Sequence, residues 1–166
     1  MLFEYIFAIV GLIGFIIYNI CFTYINNNKT PQSISATSYI SREKYGTSLP
    51  FVALCIIAAV FLFPLWIDKT PDEYQFLVFL ACTGVLFAGS TPLYRQEFES
   101  KIHYTGGIIA FVCGIAWLIL MHCWISLASI AIVGGVWTLV ERKSWTFIFE
   151  FVGYVCLHIA VYSLIK

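Results

Sequence analysis

Runs of apolar residues about as long as a bilayer is thick recur along this chain, and they leave little room for any fold but a bundle of membrane helices. A helix rises 1.5 Å per residue and a hydrocarbon core measures ~30 Å, so about 20 apolar residues make one crossing. Of the 166 residues, 61% are apolar or aromatic and only 11% are charged, against roughly 25% charged in soluble domains. Nine basic and nine acidic residues cancel, which leaves no basic stripe for nucleic acid.

The runs predict an all-α polytopic bundle of six transmembrane helices in one membrane domain, with spans at about 2–25, 50–67, 71–91, 104–121, 124–140 and 144–165. The first run carries Glu4, lacks a basic n-region and exceeds a signal-peptide core, so it reads as a retained span. Thr70, Pro71 and Glu73 have the order of an N-cap, N1 and N3 capping box ahead of the third span. The stretch from Tyr104 to Val140, about 36 residues, would measure about 54 Å as one helix, so it folds back at Met121 to Ser126 and makes the fourth and fifth spans a tight hairpin.

Six spans place the connections after the first, third and fifth on one side, with Lys29, Arg42, Lys44, Arg95, Lys101, Arg142 and Lys143. Only Lys69 and Lys166 fall on the other. Because basic residues concentrate on the cytoplasmic side, both termini are expected outside the cytoplasm. Small residues spaced by four, which let membrane helices approach closely, occur at Gly84 and Ala88, at Gly106, Ala110 and Gly114, and at Ala131 and Gly135. They suit packing within the chain, or between copies of it.

Polar residues in such spans point to function. Every fourth residue from Thr146 gives Thr146, Glu150, Tyr154, His158 and Tyr162, one ridge on the last helix and the face expected to turn inward. Glu150 lies roughly 8 Å inside the cytoplasmic boundary at 1.5 Å per residue, and Asn19 reaches a similar depth on the first span. An ionisable group at that depth marks either a functional site or a fastener held by Asn19, Tyr18 or a basic neighbour. Glu150, Tyr154 and His158 together suggest a proton relay, although six spans show no inverted repeat or broken-helix pair.

A second candidate lies on the cytoplasmic face. Glu99 and His103, at i and i+4, put a carboxylate and an imidazole on one helix face. The polar linker 26–48, a flexible loop or a short interfacial helix, offers Ser33, Ser35, Thr37 and Tyr39 as a cover for that pair. A solvated helix face is the plainer and the preferred reading of Glu99 and His103. The six cysteines are scattered without a CxxC, so they read as small buried apolar residues, and no metal or cofactor is expected.

The segments Pro31 to Tyr39 and Lys101 to Gly107 resemble small multi-pass proteins of bacteria and their phages. In these a Ser-rich linker follows the first span and a His-x-x-Gly element opens the fourth. The resemblance brings no activity with it. The chain also resembles, more weakly, CREST-type membrane hydrolases, which gather a serine, an aspartate and several histidines around a metal. Here there is no HxxxH, the histidines number three, and Asp68 and His122 fall on the face opposite Ser35 and His103. The function expected from the sequence is a non-catalytic module that binds the lipid bilayer, a partner membrane subunit or a second copy in a homo-oligomer. A proton-coupled transporter and a cytoplasmic-face hydrolase are the alternatives.

Overall fold

Apolar side chains in hydrocarbon leave the backbone no partner but itself, and helices follow. The computed structural model describes residues 2–164, so the ends of the last predicted span and of the charge comparison, Ile165 and Lys166, lie outside the described residues. The helices are α1 Leu2–Ile25, α2 Thr37–Tyr45, α3 Leu49–Asp68, α4 Gln75–Ser90, α5 Glu97–Leu120, α6 Trp124–Val140 and α7 Trp145–Ser163. The described residues contain no strand. Five helices, counting α4 with the 3₁₀ turn Asp72–Tyr74 before it, are long and apolar enough to cross a membrane, and α6 is a shorter apolar helix. At 1.5 Å per residue α6 is about 25 Å long. Their outer faces are apolar, as in Ile125 and Leu139, which are 84% and 82% exposed. The protein is an integral, multi-pass, all-α membrane bundle.

Two glycines set the closest helix approach. A Cβ on Gly84 would lie 2.5 Å from the carbonyl oxygen of Gly106, and one on Gly106 would lie 2.6 Å from that of Gly84. The stripes on α4 and α5 therefore face each other within the chain. The stripe expected on α6 does not pack. Ala131 is exposed and Gly135 has nothing near its missing Cβ, while the neighbouring Gly134 is covered by the Phe149 ring. Of the α5 stripe, Gly106 and Ala110 meet α4 while Gly114 has nothing near its missing Cβ. Helix α6 packs chiefly on α7 and only lightly on α5, so the tight hairpin expected of the fourth and fifth spans does not form.

The end of the bundle away from the linker is closed by a buried core. Trp117, Leu65, Val78 and Val161 are all within 1% of complete burial. Trp117 donates its indole N–H to Thr70 Oγ1 at 2.8 Å, and the Thr70 hydroxyl donates to Trp66 O at 2.6 Å. These bonds overturn the capping box expected at Thr70. Its hydroxyl is occupied at the end of α3, and the chain restarts through the turn Asp72–Tyr74 with no side-chain cap.

At the opposite end α1 stops in Asn27 and Asn28, both at φ 59, a left-handed conformation that asparagine tolerates. The following linker turns back over the helix ends, forms α2, and closes it with Gly46 at φ 72.

Candidate functional site at the linker end

The linker is seated on α7 by a reciprocal pair of bonds. The first N–H groups of a helix have no partner within it, and Phe147 N donates to Gln32 O at 3.2 Å. Two residues further along the linker, Ile34 N donates to Glu150 Oε2 at 2.6 Å. Glu150 is thus a fastener, but not for the group expected. The Asn19 amide turns back to Phe15 O at 2.8 Å, an i to i−4 bond available to any short polar side chain in a helix. Its other amide atom, Oδ1, is buried without a partner among the described residues.

Further along the ridge, Tyr154 donates to Ala58 O at 3.1 Å and Tyr162 to Tyr5 O at 3.4 Å. His158 Nδ1 bonds Tyr154 O at 3.1 Å, and its ring is wholly buried. Thr146 makes no side-chain hydrogen bond among the described residues. The ridge does face α1 and α3. Glu150, Tyr154 and Tyr162 turn to backbone outside it, whereas the His158 ring packs on its neighbour Tyr154 with ring centres 4.4 Å apart, and its Nε2 is buried without a hydrogen-bond partner among the described residues.

The linker hydroxyls divide by what they bond. Thr37 donates to Ile34 O at 2.6 Å, which leaves its oxygen to accept from Tyr18 OH at 2.7 Å. Ser38 donates to Pro92 O and Ser41 to Thr47 O, both at 2.7 Å. Tyr39 accepts from Arg95 N at 2.8 Å, and the Arg95 guanidinium lies 4.5 Å over its ring. Ser33 Oγ accepts from Ala36 N at 3.0 Å. Ser35 differs from all of these, because its Oγ lies 2.9 Å from His103 Nε2.

The position of His103 follows from a proline. In an unbroken helix Ala88 O would accept from the N–H of residue 92, and Pro92 has none. His103 Nδ1 fills the gap, 2.9 Å from Ala88 O and 3.2 Å from Thr91 O. Carbonyls only accept, so Nδ1 carries the proton. In the neutral ring Nε2 is then a bare lone pair, and the Ser35 hydroxyl donates to it. Tyr94 stacks on the imidazole with ring centres 4.7 Å apart. Burial pushes the Tyr94 phenol above its ordinary pKa, countered by the Ser33 hydroxyl and the Arg95 charge.

Glu99 does not join His103 in a ligand pair, because its Oε2 accepts from Leu93 N at 2.9 Å. Among the described residues no three or more His, Cys, Asp or Glu are grouped to hold a metal ion. Tyr94 and the Ala88 carbonyl are absent from the site read in the sequence. The missing N–H of Pro92, one turn after Ala88, is the signal that points to both.

Beside this cluster lies a cleft of about 550 Å³, bordered by the linker and the connections flanking α5 and α7. Lys29, Arg95 and Lys143 line it, with Glu43 and Glu141. A second, mainly apolar groove of about 360 Å³ runs along Asn19, Thr23, Ile148 and Phe151. Neither is lined by Glu150, Tyr154 or His158. No protein-family model, curated protein or solved structure matches this chain.

Proposed function

We propose that this integral membrane protein is a lipid-binding module whose linker-end cleft takes the phosphate-bearing headgroup of an anionic lipid. The face that carries the cleft is the cytoplasmic face of a bacterial inner membrane. The observation that carries this reading is the cleft itself. Three cations from separate connections converge on it at the level where headgroups lie, and Arg95 is held in place by the Tyr39 ring. Each basic residue near an anionic surface contributes about 1 kcal/mol, and with two carboxylates among the lining residues the cleft has a net charge of +1, so its net preference for an anionic headgroup is roughly 1 kcal/mol, or about fivefold in affinity. Glu43 and Glu141, which line the same cleft, favour a headgroup that also offers hydroxyl or amine donors.

The transport alternative has less support, because Glu150, Tyr154 and Tyr162 bond nearby backbone and neither cleft is lined by Glu150, Tyr154 or His158, although His158 Nε2 is buried without a hydrogen-bond partner among the described residues. The test is retention of lipid by the purified chain, measured by native mass spectrometry after exchange into mixed phosphatidylglycerol and phosphatidylcholine. Preferential retention of phosphatidylglycerol is expected, lost in Lys29→Gln/Arg95→Gln/Lys143→Gln. Equal retention of both lipids by the wild type would overturn the reading.

A further inference from the structure

We propose that Ser35 and His103 are a nucleophile and general base that transfer the acyl group of a membrane-lipid carboxylic ester. The choice of a lipid ester rests on the headgroup reading above, whereas the chemistry of the pair rests on its own geometry. A serine becomes a nucleophile when its hydroxyl donates to a neutral imidazole whose other nitrogen is held by an acceptor. Ser35, His103 and the carbonyls of Ala88 and Thr91 supply that order at 2.9, 2.9 and 3.2 Å. Here the backbone carbonyls exposed by Pro92 take the orienting place that a carboxylate fills in the familiar triad, and stacked Tyr94 fixes the ring plane.

Two features separate Ser35 from the hydroxyls that merely hold the linker. Thr37, Ser38, Ser41 and Ser48 all donate to carbonyl oxygens, which cannot take up a proton. In addition, Thr37, Ser38 and Ser41 are wholly buried, whereas Ser35 is partly exposed. The linker is also anchored at Gln32, Ile34, Thr37 and Ser38 by bonds that do not involve His103. Tyr104 of α5, 56% exposed, has its ring centre 5.8 Å from that of His103, and with the exposed Phe98 earlier on the same helix it offers an acyl chain apolar surface.

The reaction balances without a co-reactant other than water. Ser35 Oγ bonds to the ester carbonyl carbon as its proton passes to His103 Nε2. Collapse of the adduct breaks the bond to the leaving alcohol, which takes that proton and departs, leaving the acyl group on Ser35. Water then attacks with His103 again as base, releasing the carboxylic acid and restoring the hydroxyl.

A fluorophosphonate, which bonds covalently to activated serines, tests the pair on the full-length chain in nanodiscs, with the modified residue located by mass spectrometry. Ser35 should be modified at least 100-fold faster than Ser33 or Ser38 of the same molecules. His103→Gln should slow it by the 10² to 10⁴ typical of a lost general base, and Ser35→Ala should remove it. The comparison among serines within the wild type needs no variant, so misfolding of a mutant cannot mask the answer. Modification of Ser35 no faster than of Ser33 overturns the proposal. Selective retention of phosphatidylglycerol without labelling would sink the pair and leave the headgroup reading standing. Labelling without lipid selectivity would do the reverse.

Discussion

Glu150 is a buried-end anchor whose effect is felt across the chain, at Ile34. Replacing it with leucine leaves the Ile34 N–H without an acceptor, a loss that costs about 1 to 3 kcal/mol, whereas glutamine keeps a carbonyl oxygen in place. Amide exchange at Ile34 should therefore be at least about tenfold faster in Glu150→Leu than in Glu150→Gln, as read by hydrogen exchange and mass spectrometry. Equal rates in the two variants would mean that the 2.6 Å bond does not hold the linker. The sequence shows Glu150 to be an inward polar residue because its neighbours are apolar. It does not show the partner, because a backbone N–H leaves no mark in a sequence. His103 is similar. Its i,i+4 spacing from Glu99 is visible, but both side chains turn to backbone groups freed where α4 breaks at Pro92.

Among the elements, α4 and α5 depend most on the absence of side chains. Valine at Gly84 or Gly106 would overlap the facing backbone, and overpacking of this kind costs about 1 to 3 kcal/mol. Either substitution should lower the midpoint of thermal unfolding in detergent by several degrees. Alanine at Gly114 or Gly135, where nothing lies within 4 Å, should leave it unchanged, and a matching loss there would discount the close crossing. Spacing identified the small residues of α4 and α5, since both members of each pair lie on one helix face. It misjudged α6 because Gly134 and Gly135 are adjacent, and periodicity cannot tell which of two neighbours meets a ring from α7. The seat of the linker was equally hidden. Its hydroxyl-rich composition says that hydrogen bonds are wanted, not that α7 lends its first turn to Gln32.

For the whole molecule, the proposed orientation puts the linker and its basic residues in the cytoplasm and the turn at Asp72–Tyr74 outside. Single cysteines introduced in a cysteine-free chain report on this directly. In intact cells a membrane-impermeant maleimide should reach Glu73→Cys and should reach Glu43→Cys only after lysis, and the opposite pattern would invert the assignment. The apolar helices can be read from hydropathy, whereas the composition of the linker leaves α2 open between a flexible loop and a short helix. Ser35 and His103 are legible as members of one candidate site, but the Ala88 carbonyl and Tyr94 beside them are not, since they come from α4 and the Pro92 connection, which no spacing ties to the linker.

The bond from Ile34 to Glu150 joins positions 116 residues apart. A ribosome adding about 5 to 20 residues per second therefore synthesises the linker on the order of ten seconds before the residue that fastens it. Until the last helix enters the bilayer, Gln32 and the apolar Ile34 have no seat on α7. The final insertion step adds the seat at Gln32 and Ile34, whereas the bonds of Thr37 to Tyr18 and of Ser38 to Pro92 join parts already made. A chain truncated before α7 would therefore present the first half of the linker to proteases however well its earlier helices had assembled.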